Sequence, residues 1–138
     1  MADAHPAQDV IRRFHQAHAD HDADALRACH ADSYFRWLGA GSTDPSDWIP
    51  GAYCTRDYMM EWGKNEEVNT STYEYDIRFA STRANDELAI VVTEETGSWT
   101  KADGTSLGRW EKAQTVWFVA DTAEGWRIVG FYRPESSG

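Results

Sequence analysis

The chain has 138 residues, with 23 Asp and Glu against 13 Lys and Arg and a net charge of −10, long enough for one domain that buries roughly two thirds of its unfolded surface. So acidic a chain, with its basic residues scattered and a pI near 4.8, argues against nucleic acid or an anionic membrane as partner, and no apolar run approaches the ~18 residues of a membrane-crossing helix. The opening Met1-Ala2-Asp3-Ala4-His5-Pro6 lacks a signal peptide's basic-then-apolar order, and Cys29 and Cys54 stand alone without CxxC spacing; the expectation is a cytoplasmic protein with two reduced structural thiols and no zinc site.

At about 100° per residue, Ala7, Val10, Ile11, Phe14, Ala17, His18 and His21 share one side of a first helix, with Arg12, Arg13, Gln16 and Asp20 opposite. Asp22 is placed to cap a second short helix ending at Ala28, because its carboxylate accepts from the free amides of the first turn. Ser33 to Leu38 reads as the first strand. Residues 39–54 hold three Gly, two Pro and the Asp44-Pro45 pair, which predicts a loop. Thr55 is a cap for a third helix with Tyr58, Met59 and Trp62 on its inward stripe.

From Thr72 to Phe79 the alternation sets Tyr73, Tyr75, Ile77 and Phe79 on one face and Thr72, Glu74, Asp76 and Arg78 on the other. A turn at Ala84-Asn85-Asp86 leads to a strand over 88–99 whose apolar start, Leu88 to Val92, predicts cover on both faces. Asp103-Gly104 is a hairpin signal of type I′, which needs positive φ at both central residues. The next strand runs to Val119. A turn near Glu124-Gly125 starts a final strand that Pro134 stops, leaving residues 134–138 as a tail. Helices first and an antiparallel meander after them is an α+β order in a single domain over 1–138.

The segment Val10 to Leu38, with its helix, polar joint Asp20-His21-Asp22-Ala23-Asp24, short helix and strand, followed by a meander ending Gly125-Trp126-Arg127-Ile128-Val129, resembles the NTF2-like superfamily, in particular its SnoaL-like and ketosteroid-isomerase-like members. The resemblance spans nearly the whole chain. It implies a cystatin-like cone: three N-terminal helices packed on a strongly curved, mostly antiparallel sheet, a pocket inside the open end, and a homodimer formed through the convex face.

Arg12-Arg13-Phe14 through Asp22-Ala23-Asp24 to His30-Ala31-Asp32 is similar, without a gap, to the same segment of bacterial ketosteroid isomerases. Where those enzymes hold an oxyanion with Tyr and abstract a proton with Asp, this chain has Phe14 and Leu38, which can do neither. The final-strand Asp of SnoaL-type cyclases is matched by Arg133. Both departures speak against those two reactions.

By analogy of position the ligand pocket is outlined by Phe14, Arg36, Leu38, Tyr58, Trp62, Gln114 (or Thr115 on a one-residue slip), Phe131 and Arg133, with Val129 also inward. Arg36 and Arg133 would favour a carboxylate or phosphate-bearing ligand if they point in; at the rim they would pair with surface acids. His18 is the titratable group on the apolar side of the first helix and is either a general base or a core histidine bonded to backbone. His15-x-x-His18-x-x-His21 does not read as a metal site, since threefold steps rotate by ~60° each. Asp20-x-Asp22-x-Asp24 lacks the Gly and the acidic twelfth residue of a calcium loop, with Ala25 and Ala31 there instead. Unless a bulge intervenes, one of Glu94 and Glu95 must face inward, with Arg109, Arg36 or Arg133 as its natural partner; the alternative is a cross-strand ion pair at the surface. Some of the seven tryptophans must line a cavity or a subunit interface, and alternation sets Trp110 and Trp117 on opposite faces.

The sequence thus describes a metal-free, cofactor-free protein that binds a small hydrophobic organic molecule. Read as an enzyme it is an isomerase, dehydratase or hydrolase using His18. The competing readings are a non-catalytic ligand-binding module and a dimerisation module.

Overall fold

In the computed structural model, which describes residues 5–38, 53–55 and 70–133, with side chains over 5–32 and 70–132, helix α1 spans Pro6–Asp20. Its N-cap is His5, whose Nδ1 accepts from the Ala7 amide at 3.0 Å, and Pro6 takes the first helical position, where a missing N–H costs nothing. His21 ends the helix in the left-handed region (φ 56°), returning its amide to the carbonyls of Ala17 and His18. Helix α2, Ala23–Ala28, starts on Asp22 as expected, the carboxylate accepting from Ala25 N at 3.0 Å. These are the helices among the described residues. The expected third helix falls on 56–69, outside them.

Six strands follow among the described residues: β1 His30–Leu38, β2 Tyr53–Thr55, β3 Thr72–Ala84, β4 Leu88–Thr100, β5 Ser106–Thr122 and β6 Gly125–Arg133. They form one sheet in the order β2-β1-β6-β5-β4-β3. All neighbours are antiparallel except β1 and β6, so the chain ends by inserting its last strand beside its first. Tyr53, Cys54 and Thr55, expected as loop end and helix cap, instead pair with Phe35, Tyr34 and Ser33; a β-branched and an aromatic residue suit a strand edge.

Bulges bend the sheet around α1. Ala80 is an extra residue in β3, Val129 in β6, and Glu111 and Lys112 together oppose Thr96 of β4. Lys112 takes the positive φ this needs, 52°, and its amide bonds to Thr96 Oγ1 at 3.0 Å. The turn after β4 is wider than a type I′ pair: Lys101 and Thr105 close it, with Gly104 at φ 92°. Asp103 keeps a negative φ and uses its carboxylate to accept from Thr105, which holds its pKa below the ordinary carboxylate range.

The core lies between α1 and the sheet face it covers. Ala7, Val10, Ile11, Phe14 and Ala17 of the helix meet Ala89, Val91, Trp117, Val119, Ile128 and Phe131. Two expectations change here. The bulge at Val129 makes Ile128 the fully buried residue of that pair. Leu88 and Ile90 are not covered on both faces; they alternate with buried Ala89 and Val91 and stay 38% and 39% exposed.

Candidate functional site

The inner sheet face under α1 carries an aromatic cluster with a polar thread through it. Phe14 sits at its centre, edge-on to His18 (ring centroids 4.7 Å), His15 (5.1 Å), Trp117 (5.1 Å) and Phe131 (6.3 Å). Tyr73 from β3 lies 5.6 Å from His18 and 4.7 Å from Trp99 of β4, and stacks on Tyr75 at 5.5 Å. Aromatic edges against faces contribute about 0.5–1.5 kcal/mol per pair beyond the area they bury.

The polar thread is fully buried. His15 and Glu95 are 0% and 2% exposed, with Nε2 to Oε1 at 3.2 Å. Each neighbour has a determined role. His15 Nδ1 faces the Ile11 carbonyl at 3.0 Å and must donate to it, so Nε2 is the nitrogen left for the carboxyl. Trp117 Nε1 donates to Thr93 Oγ1 at 2.9 Å, and Thr93 in turn donates to Glu95 Oε2 at 2.6 Å. One proton is then shared between Glu95 and His15 Nε2, and the pair exists either as an acid on a neutral imidazole or as a carboxylate on an imidazolium. On the helix wheel His15 lies one turn after Ile11, a signal that the run His15-x-x-His18-x-x-His21 obscures. Of the two candidate acids Glu95 is the inward one, and its partner is His15 rather than Arg109, Arg36 or Arg133; Glu94 takes the other face, in an ion pair with Arg78 at 3.3 Å.

Of the expected site residues, Phe14, His18 and Phe131 are brought together. His18 is half-buried while Phe14 and Phe131 are buried. Gln114 is not with them: it is exposed, across from Glu94, and Thr115 is the buried inward residue. The one-residue offset follows from strict alternation back from Trp117. The backbone register sets Arg36 beside Phe131 and Leu38 beside Arg133; the side chains of Arg36, Leu38 and Arg133 are outside the described set, as are Tyr58 and Trp62 altogether. Trp110 joins the inner cluster, 6.0 Å from Tyr73, because the bulge at Glu111 and Lys112 reverses the alternation that would have set it opposite Trp117.

The helix histidines diverge: His15 turns to Glu95, His18 to the rings, and His21 Nε2 to the Ser71 carbonyl at 2.6 Å. Among the described residues no group of three His, Cys, Asp or Glu is placed to hold a metal ion, and no helix is long and apolar enough to cross a membrane. An open cleft of about 650 Å³ reaches the Tyr75 and Trp110 end of the cluster, bordered by Glu74, Arg109 and Glu111.

No protein-family model matches this sequence, and no curated protein matches it. Solved structures do. A protein from Novosphingobium aromaticivorans, provisionally named an aromatic ring hydroxylase, aligns over 95% of this chain and 87% of its own with 18% identity and a TM-score of 0.71. A ketosteroid isomerase-like protein from Erwinia carotovora atroseptica aligns over 96% and 95% at 17% identity and TM-score 0.68. The CaMKII hub of S. rosetta aligns over 96% and 97% at 16% identity and TM-score 0.64. With helices cupped by a curved sheet in this strand order, the chain has the NTF2-like, cystatin-like fold.

Proposed function

We propose that this protein binds a small hydrophobic organic molecule against the aromatic cluster, and that His18 moves a proton on it in an isomerisation, dehydration or hydrolysis needing no cofactor. The observation that carries the reading is the contrast between two inward histidines. His15 is sealed and committed to Glu95, whereas His18 is half-buried with its ring framed by Phe14, Tyr73 and Trp99, a setting for an imidazole that meets a ligand. With Gln114 turned outward, Arg36 and Arg133 are the groups left to hold a carboxylate or developing negative charge, beside Phe131 and Leu38. In this reading Tyr58 and Trp62 extend the apolar wall, residues 39–54 cover it, 134–138 form a tail, and the single domain works in a reducing cytoplasm.

Tryptophan fluorescence and melting temperature, read against a panel of aromatic, terpenoid and steroid-like carboxylates and their neutral analogues, test it. The expected hit quenches emission, raises the melting temperature and prefers the acid; His18→Ala then keeps the affinity and loses turnover. Affinity without turnover in the native protein would replace the enzyme by a non-catalytic binding module. Silence across the panel would sink the ligand reading.

Assembly has its own support. The sheet face turned away from α1 exposes Leu88 and Ile90, with Val92, Val116 and Phe118 in the same cross-strand rows, and one similar structure is a hub domain. We propose a homodimer through that face.

A further inference from the structure

We propose that the cleft between α1, α2 and β6 is a second binding site, distinct from the aromatic cluster, for a small monocarboxylate. It encloses about 310 Å³ and is bordered by Arg13, Ala17 and Asp20 of α1, Ala25 and Ala28 of α2, and Arg127 of β6, the lower end of small-ligand pocket sizes. Arg13, Gln16 and Asp20 bring the polar side of α1 to this cleft, with Ala17 at its edge, whereas Phe14 and His18 turn to the aromatic cluster.

Two cations, Arg13 and Arg127, border this cleft together with one acid, Asp20. Among the described residues neither Arg13 nor Arg127 takes part in an ion pair. Arg127 Nη1 donates to the Trp126 carbonyl at 2.8 Å, which anchors its guanidinium at the border of the cleft. Both guanidinium groups also act on Cys29 beside the cleft, pulling its thiol pKa down against the larger upward push of burial. In a chain of net charge −10, a concavity bordered by two bases and one acid runs against the overall charge.

The lining selects the ligand. Asp20 also borders the cleft, its carboxylate already accepting from Gln16 Nε2 at 3.0 Å. Two positive groups and one negative leave a single positive charge, which matches a monoanion better than a phosphate dianion. Planar guanidinium forks suit a planar carboxylate, and the methyls of Ala17, Ala25 and Ala28 offer an apolar wall to a short alkyl stem.

The test is a nuclear magnetic resonance titration of the isotope-labelled full-length protein with butyrate, inorganic phosphate and sodium chloride at matched ionic strength. Butyrate is expected to shift the Arg127 Nε–Hε signal and the Ala28 and Cys29 amides saturably, with roughly millimolar affinity. Arg13→Gln, at an exposed position, and Arg127→Gln are each expected to weaken butyrate by roughly tenfold while the remaining spectrum keeps its dispersion. Equal shifts with chloride, a butyrate titration unchanged in Arg13→Gln, or tighter binding of phosphate than of butyrate would overturn the assignment.

Discussion

Burying His15 against Glu95 removes two titratable groups from water, and their hydrogen bonds to Ile11 and Thr93 are what make that tolerable. Removing one partner strands the other, so His15→Ala is expected to cost about 3 kcal/mol in urea denaturation. The double change His15→Leu with Glu95→Leu should cost less than His15→Leu alone, since no carboxyl is then left buried without its imidazole; additive losses would mean that the pair is not energetically coupled. Cys29 makes a prediction in pH. Burial pushes its thiol from 9.0 to about 11 in the folded protein, so the unfolded chain releases that proton first. The contribution is fully present below pH 9.0 and is lost as pH rises towards 11. Melting temperature followed over that window should fall less steeply in Cys29→Ala than in the native chain.

At the scale of the element, the bulges do more than bend strands. Each extra residue reverses the inside and outside of everything beyond it, which is how Trp110 comes to face Tyr73. Gly97 sits opposite Trp110 at that bend, and a Cβ there would stand 2.5 Å from the Glu74 carbonyl oxygen and 2.9 Å from the Trp110 ring. Backbone cannot yield as a flexible side chain does, so Gly97→Ala is expected to destabilise by about 1–3 kcal/mol, visible as a lower urea midpoint. An unchanged midpoint would show that the bend relaxes freely. The helices follow simpler rules. The cap at Asp22 and the inward stripe of α1 were legible because they depend on neighbours within four residues in sequence.

Over the whole molecule, the two sheet faces are covered unequally. One is filled by α1, while the other leaves Leu88 and Ile90 more than a third exposed, more apolar surface than an acidic monomer needs. Leu88→Asp with Ile90→Asp should shift the protein from dimer to monomer in light scattering while its circular dichroism is retained; a native chain already monomeric at high concentration would refute the dimer. The two proposed sites stand on different flanks of α1, so ligand effects at His18 and at Arg13 should be separable by single substitutions.

By itself the sequence determined the α+β order, the helix-then-meander layout and the inward sides of α1 and β3, because periodicity and caps are local and the pattern of burial repeats along each element; the NTF2-like fold was implied by resemblance. It also named Phe14, His18 and Phe131, which do meet. Only the tertiary structure decided that Glu95 answers to His15, that Thr115 rather than Gln114 points inward, and that Trp110 rejoins Trp117. Those outcomes depend on contacts across strands and on where a single extra residue enters a ladder. One inserted residue turns a face over without leaving a mark in composition or hydropathy.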